Sequence, residues 1–311
     1  MTRESSSNVP SAARSEPIEG SQRSKPDALA PGLYLVATPI GNLRDITLRA
    51  LDTLRQADAI VCEDTRVTRK LLAAHGLDNA LVSYHEHNAT RMRPKLLARL
   101  AADEALALVS DAGTPLISDP GFKLVQAAAE AGHAVRALPG PSALLAGLVV
   151  SGLPSDRFTF LGFLPPKTGA RRNALEGLRT LEGTLIFLES ARRLPGTLED
   201  MAAVLGSRPA AVARELTKLH EEVRRDRLDA LAEHYRTAGA PKGEVVLLVG
   251  PADAAAEDPS ERLDDILAEA LRDLSLRDAV AAATEATGLP RRQVYARALS
   301  LSTAPSEPND P

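Results

Sequence analysis

The chain has 311 residues, of which 44% are hydrophobic and 25% charged but only 3% aromatic, without any Trp. This composition is typical of a globular protein with aliphatic cores, and the length allows two domains. The net charge of −4 argues against bulk electrostatic affinity for nucleic acid, and the single cysteine, Cys62, excludes an internal disulfide. No apolar stretch is long enough to span a membrane and the N-terminus lacks a signal-peptide core, so we expect a cytoplasmic protein.

Residues 1–31 are rich in Ser, Pro, Ala and charge, which predicts a disordered tail. Short apolar strands then alternate with helical patterns over residues 32–142, as in a parallel sheet with helices on both faces. Each strand ends in a polar or Gly/Pro cluster, and the carboxyl ends of parallel strands meet at one edge. The sequence therefore predicts that this edge carries the chemistry. The clusters lie at 39–45, 63–66, 85–88, 110–115 and 139–142.

The segment 105–121 shows this organisation most clearly. An apolar run at 106–109 predicts a buried strand, and Ser, Asp, Gly, Thr and Pro follow it at 110–115. Gly113 has no Cβ, so backbone N–H groups can approach a ligand closely, and Asp111 can accept hydrogen bonds from hydroxyls or amines. The same loop would also serve as an ordinary connection between a strand and a helix.

The second half of the chain predicts a different domain over residues 143–251. Apolar or alternating strands at 158–163, 184–188, 210–214 and 244–249, with fewer helices, indicate a mixed sheet. Residues 157–227 include thirteen Lys and Arg and nine Asp and Glu, which gives a local excess of four positive charges. Such a surface permits contact with a phosphate backbone without requiring it.

A Pro/Ala/Asp linker at 251–259 precedes a helical segment at 260–303. Ser275 begins a capping-box pattern, and Pro290 suits the first turn of a second helix, which predicts a helix-turn-helix. Arg291, Arg292 and Tyr295 share the exposed side of that second helix. Either a nucleic-acid contact or a small helical hairpin with solvated arginines explains this pattern.

Several chemistries find no support in the sequence. The first loop, 38–42, is not the G-x-G-x-x-G of dinucleotide-binding proteins, and neither a G-x-S-x-G elbow nor a P-loop lysine is present. His85 and His87 share one side of an extended segment, but no Cys or carboxylate cluster completes a metal site, so we expect none. Cys62 follows an apolar run, as a buried structural residue would. What remains is a cleft lined by uncharged turns, suited to a ligand with hydroxyls and an amino acid moiety.

The order and spacing of these segments resemble the RsmI-type ribosomal RNA cytidine 2′-O-methyltransferases of the tetrapyrrole methylase superfamily. The resemblance spans residues 32–250 and extends to the helical tail. The TPIGN version of the first loop separates this type from the small-molecule methylases of the superfamily. The matching segments are TPIGNLRD at 38–45, EDTR at 63–66, SDAGTP at 110–115, DPG at 119–121, LPGP at 138–141, GLPSDR at 152–157, GFLP at 162–165, ES at 189–190 with Arg193, ARELTK at 213–218 and KGE at 242–244.

The resemblance implies a two-domain α/β fold of the tetrapyrrole methylase (class III methyltransferase) type with a C-terminal helix-turn-helix tail. It also implies that S-adenosylmethionine binds in the cleft between the domains. The methyl group would move to the ribose 2′-oxygen of a cytidine in the decoding centre of 16S rRNA, within the small ribosomal subunit, and the enzyme would act as a homodimer. The cofactor-binding residues implied by analogy are Pro39, Ser110, Asp111, Ala112, Gly113, Thr114, Ser142, Ala143, Leu188, Ala213 and Glu215.

A 2′-hydroxyl is far from acidic at neutral pH and needs a proton acceptor as it attacks. We hypothesise that the 63–66 edge faces the acceptor ribose, with Asp64 or Glu63 accepting the proton and Arg66 holding a neighbouring phosphate. Alternatively, Arg66 only pairs with these carboxylates and shapes the loop. The candidates for RNA backbone contacts are Lys167, Arg171, Arg172 and the tail arginines.

Two other functions fit the same sequence. One is methylation of a small molecule, such as a tetrapyrrole precursor, which would require a deep apolar pocket and no basic tail. The other is a ribosome-associated binding module that keeps the cleft but has lost catalysis; the intact loop residues argue against it.

Overall fold

The computed structural model describes residues 29–117, 121–252 and 259–302. Most of the predicted N-terminal tail, the middle of the linker at 251–259, and the start of the DPG match at 119–121 lie outside the described residues. Within the described part of the chain, no helix has both the length and the apolar composition that a membrane crossing requires.

The first sheet has five parallel strands in the order β3-β2-β4-β1-β5. Its three inner strands, β2, β4 and β1, have mostly buried apolar side chains because helices cover both faces. The parallel sheet and the strand before the 110–115 loop are therefore confirmed. The elements are β1 (Gly32–Val36), α1 (Leu48–Gln56), β2 (Ala59–Cys62), α2 (Thr65–Ala74), β3 (Leu81–Ser83), α3 (Ala89–Ala101), β4 (Ala105–Val109), α4 (Phe122–Glu130) and β5 (Val135–Leu138).

The second sheet is mixed, as the sequence predicts, with the order β6-β7-β10-β8-β9. β6 and β7 are parallel, whereas the other neighbours are antiparallel. Helix α5, apolar on nearly every side, links the two domains and packs through Leu148 against this sheet. The elements are α5 (Ala143–Ser151), β6 (Phe158–Phe163), α6 (Thr168–Glu176), β7 (Thr184–Ser190), α7 (Leu194–Leu205), β8 (Pro209–Arg214), β9 (Glu222–Arg227), α8 (Leu228–Ala238) and β10 (Glu244–Val249).

The C-terminal segment contains three helices, α9 (Pro259–Asp273), α10 (Leu276–Thr287) and α11 (Arg291–Ser302). The hydroxyl of Ser275 accepts a hydrogen bond from the Asp278 N–H, so the predicted cap of α10 is present. Helix α9 was not distinguished in the sequence, and it completes a small core with the two helices of the predicted hairpin. That core contains Leu263, Leu267, Val280, Ala283, Val294 and Ala298.

Candidate active site

A cavity of about 470 Å³ lies between the carboxyl edge of the first sheet and the second sheet. This volume is within the range of about 300–1,000 Å³ that small-molecule sites occupy. Both domains supply its walls, so the site forms only when they are packed together. The lining residues are Ile40, Ala112, Gly113, Thr114, Ile117 and Ser142 from the first domain, and Ala143, Leu144, Phe160, Phe163, Leu188, Glu189, Ser190, Ala191, Ala213, Leu216, Gly243, Glu244, Val245 and Val246 from the second.

Seven of the eleven residues expected to bind the cofactor line this cavity: Ala112, Gly113, Thr114, Ser142, Ala143, Leu188 and Ala213. The other four, Pro39, Ser110, Asp111 and Glu215, belong to the same loops but do not line it. The side chains of Ser110, Asp111 and Glu215 instead hold these loops in place through hydrogen bonds. The structure thus brings the sequence-predicted loops together around one space.

The loop after β4 is fixed by its own hydrogen bonds. Ser110 is buried, and its hydroxyl donates to the carbonyl oxygens of Gly113 at 2.9 Å and Ala112 at 3.2 Å. Thr38 and Gly113 exchange two backbone hydrogen bonds of 2.9 Å, which joins the loops after β1 and β4. Gly113 has a φ of 79°, a conformation that favours glycine. Among the described residues, the N–H groups of Ala112 and Thr114 have no partner, so they can donate to a ligand.

Helix α5 begins at the cavity wall. Ser142 is its N-cap, with a hydroxyl that accepts a hydrogen bond from the Leu145 N–H at 3.4 Å. Ser142, Ala143 and Leu144 all line the cavity. The N-terminus of a helix presents free N–H groups and a positive dipole end, so this wall suits a carboxylate.

The 63–66 edge lies next to this cavity but does not line it. Asp64 is the N-cap of α2, and its carboxylate accepts hydrogen bonds from Arg66 through the backbone N–H at 2.8 Å, Nε at 3.0 Å and Nη2 at 2.6 Å. These contacts with Arg66 lower the pKa of Asp64 to about 2. The pairing that the sequence offered as an alternative is therefore present, although the Arg66 side chain remains 84% exposed.

A hydrogen bond connects this edge to the loop after β4. The Asp64 N–H donates to Oδ1 of Asp111 at 3.2 Å. The pKa of Asp111 is raised, chiefly because its carboxyl group is partly buried and also because of the nearby negative charge of Asp64. The hydrogen bond from the Asp64 N–H acts in the opposite direction. Asp111 is thus oriented toward the 63–66 edge.

The neighbouring residues give no evidence of metal or thiol chemistry. The rings of His85 and His87 lie 6.0 Å apart, and no group of three His, Cys, Asp or Glu in the described ranges could hold an ion. Cys62 is completely buried, and that burial raises the pKa of its thiol. The burial of Cys62 agrees with the structural role that its apolar surroundings in the sequence predict.

Of the wall formed by β6 and β7, only Leu188 was predicted to bind the cofactor; Phe163 and Glu189 had no predicted role. Glu189 is 3% exposed, and its Oε2 accepts hydrogen bonds from Thr197 Oγ1 at 2.7 Å and Arg193 Nη2 at 3.2 Å. Arg193 also donates to the Leu164 carbonyl oxygen at 2.7 Å, which fixes the end of β6 beside β7. The cavity-lining residue Phe163 precedes Leu164 and is 57% exposed. Phe163 belongs to the GFLP match at 162–165, and an aromatic residue in a chain so poor in aromatics was the signal that could have found this wall.

The predicted RNA contact at Arg171 is wrong. Its side chain is only 7% exposed and forms a 2.5 Å ion pair with the buried Asp200, so it cannot reach a phosphate. Arg172 shares Asp200 at 2.6 Å but is 53% exposed, and Lys167 lies at the surface. In the tail, Arg291 and Arg292 are exposed, as expected.

Comparison with known proteins explains this architecture. The sequence profile of the tetrapyrrole (corrin/porphyrin) methylases matches residues 32–232, and that of the RsmI C-terminal HTH domain matches residues 256–302. The chain belongs to the tetrapyrrole methylase family, a class of methyltransferases that use S-adenosylmethionine.

Within this class, the chain is similar over nearly its whole length to proteins named ribosomal RNA small subunit methyltransferase I. The Mesorhizobium japonicum protein is 51% identical over 280 residues, which cover 90% of this chain and 95% of that protein. The Escherichia coli O157:H7 protein is 46% identical over 270 residues, covering 86% and 94%.

Solved structures with low sequence identity share the fold. Diphthine synthase matches with a TM-score of 0.54 and 17% identity, covering 70% of this chain and 89% of its own. Uroporphyrin-III C-methyltransferase from Thermus thermophilus, complexed with S-adenosylhomocysteine, matches with a TM-score of 0.50 and 21% identity, covering 70% and 97%. The fold prediction is confirmed.

Proposed function

We propose that this enzyme transfers the methyl group of S-adenosylmethionine to the ribose 2′-oxygen of a cytidine in the decoding centre of 16S rRNA, within the small ribosomal subunit. The observation that carries the proposal is the 51% identity to a ribosomal RNA small subunit methyltransferase I over 90% of the chain. The cytidine and the 2′-oxygen rest on the resemblance of the loop motifs, foremost TPIGN at 38–42 and EDTR at 63–66.

The cavity fits the cofactor in size and chemistry. The N–H groups of Ala112 and Thr114 and the N-terminus of α5 supply donors for hydroxyl and carboxylate oxygens. The apolar walls at Leu188 and Ala213 would receive the adenine. When bound, S-adenosylmethionine supplies an electrophilic methyl group on a sulfonium centre.

The 63–66 edge would hold the acceptor nucleotide. With a pKa of about 2, Asp64 is ionised at neutral pH and can accept a hydrogen bond from the 2′-hydroxyl, although it is a weak base. Glu63 is the second candidate for this acceptor. The exposed guanidinium of Arg66 can contact a phosphate while Asp64 orients it. Catalysis would then depend largely on positioning, which supplies on the order of 7 to 11 kcal/mol at best.

Contacts with the ribosome would involve separate surfaces. Arg291, Arg292 and Tyr295 are exposed on α11, and Lys167 and Arg172 are exposed near α6. Cationic side chains of this kind give salt-dependent affinity for phosphates. Together they would place the cavity against a target within a folded particle.

We also propose a cytoplasmic homodimer. Leu145 and Val149 on α5 are 49% and 74% exposed, and Phe122 on α4 is 66% exposed. Leu145 and Val149 lie one turn apart on α5 and so form one exposed apolar patch, which is the kind of surface that subunits bury against each other. The molar mass of the purified protein in solution, measured by light scattering, tests the dimer. A monomer at micromolar concentration contradicts it.

Transfer of labelled methyl groups tests the substrate. The protein is incubated with labelled S-adenosylmethionine and isolated small subunits, free rRNA or a tetrapyrrole precursor, and the products are digested to nucleosides. We expect 2′-O-methylated cytidine from the subunits alone. Label only on the tetrapyrrole would identify a small-molecule methylase, and cofactor binding without any transfer would identify a binding module.

A further inference from the structure

The turn at 215–218, directly after β8, has an unusual backbone. Glu215 and Thr217 have φ values of 51° and 65°, in the left-handed region that non-glycine residues, and branched ones above all, rarely adopt. Leu216, between them, lines the cavity. Such strain persists only where the surroundings over-determine it, and it is concentrated at functional sites.

One side of this turn contacts the first domain. The hydroxyl of Thr217 accepts a hydrogen bond from the Asn42 N–H at 3.2 Å. Gly41 lies against Lys218: a Cβ added at Gly41 would collide with the Lys218 Cγ and lie 3.0 Å from its Cε. The stem of Lys218 therefore occupies the space that the missing side chain leaves, next to Ile40 in the cavity wall.

The ammonium end of Lys218 is held by the second domain. Its Nζ donates to Oε1 of Glu215 at 2.8 Å and to Oε2 of Glu244 at 3.0 Å. The Glu244 N–H also donates to Oε1 of Glu215 at 2.9 Å, and a Cβ at Gly243 would collide with that carboxylate. Gly243 and Glu244 both line the cavity. Lys218 thus contacts Gly41 of the first domain, next to cavity-lining Ile40, and Glu244 of the second domain, which lines the same cavity.

We propose that Lys218 is a positioning residue that clamps the two domains at the spacing the cofactor requires. Its stem fixes the loop after β1, and its charge fixes the start of β10. A protein that visits the binding-competent spacing less often binds its ligand more weakly by the same factor. The proposal depends on the cavity being the S-adenosylmethionine site and does not depend on the RNA substrate.

The test measures binding of S-adenosylhomocysteine to the full chain by titration calorimetry. We expect K218M, which keeps the stem but loses the charge, to raise the Kd about three- to tenfold, and K218R to restore part of the loss. G41A, which displaces the stem of Lys218 without removing its charge, should also raise the Kd. R236M, which removes the exposed i,i+3 ion pair to Glu233 on α8, is the matched control and should leave the Kd unchanged.

The double variant separates clamping from local stabilisation. If both residues act through one contact, the Kd of K218M/G41A should be about that of whichever single variant has the higher Kd, because the second substitution disrupts a contact that the first has already lost. Unchanged affinity in both single variants overturns the proposal. Additive effects of the two substitutions on the binding free energy also overturn it. So does weaker binding in which the lost binding free energy is matched by an equal loss of unfolding free energy of the ligand-free protein. Normal binding without methyl transfer to the subunit would refute the RNA substrate and leave the clamp intact.

Discussion

Oδ1 of Asp111 accepts a hydrogen bond from the backbone N–H of Asp64, and this 3.2 Å contact joins the cofactor-side loop to the proposed acceptor edge. The two carboxylates differ because their surroundings differ. Arg66 lowers the pKa of Asp64 to about 2, whereas burial raises the pKa of Asp111. Each residue can therefore be tested through a different observable.

Asp64→Asn should strongly slow methyl transfer while S-adenosylhomocysteine still binds. Asparagine is an equally good N-cap, so α2 should keep its start, but the amide cannot accept a proton from the 2′-hydroxyl. Loss of a positioned proton acceptor lowers turnover by about a hundredfold or more. Single-turnover rates on small subunits measure the effect. Asp52→Asn, at an exposed ion pair on α1, is the control, and unchanged turnover in the Asp64 variant would remove this carboxylate from the mechanism.

Asp111→Asn should stabilise the protein at neutral pH. Because the pKa of Asp111 is higher in the folded state than in the unfolded chain, its ionisation opposes folding. The penalty is absent below the unfolded value of about 3.9 and grows as pH rises through the folded value. Asn can still accept the hydrogen bond from Asp64. Urea unfolding at pH 4, 5.5 and 7 should show an advantage for the variant that increases with pH; a decreasing one would contradict the assignment.

Arg171→Met and Arg172→Met should differ sharply in stability although both residues pair with Asp200. Removing Arg171 leaves a buried carboxylate without its buried partner, which costs about 3 kcal/mol. Arg172 is half-exposed, and its loss should cost about 0–1 kcal/mol. Unfolding free energies from denaturant curves measure both. Equal losses would show that the two arginines hold Asp200 in the same way.

Substitution of Arg291 and Arg292 by Ala should weaken methylation of the small subunit without affecting S-adenosylhomocysteine binding. We expect a higher KM for subunits. The slope of log K against log salt concentration should become less steep by about one for each lost phosphate contact. Arg236→Ala on α8 is the control because Arg236 is exposed, lies outside this segment and pairs with its neighbour Glu233. An unchanged KM would favour the solvated helical hairpin that the sequence also allowed.

The first sheet was predictable because its buried strands are short apolar runs, each followed by a polar cluster. The edge strand β9 was missed, since its residues Glu222–Arg227 are nearly all charged. It forms because it pairs with β8 along its whole length, a non-local effect that the pattern of one segment does not contain.

The loops of the site were predictable to a similar degree. Parallel strands bring their carboxyl ends to one edge, so the clusters at 110–115 and 139–142 were expected on the same side of the sheet. The wall from β6 and β7 depends on how distant segments pack, as does the burial of Arg171 against Asp200, 29 positions away. An arginine in a basic stretch looks the same in sequence whether it faces solvent or a buried carboxylate.

The cavity walls run from Ile40 to Val246, and neither domain can hold the ligand alone. A ligand at 100 times its Kd adds about 2.7 kcal/mol to the stability of the state that binds it. Because local opening of either domain would destroy the pocket, the bound ligand would stabilise both domains against unfolding. The cellular supply of S-adenosylmethionine would then set not only the rate of methylation but also how long the enzyme survives proteolysis.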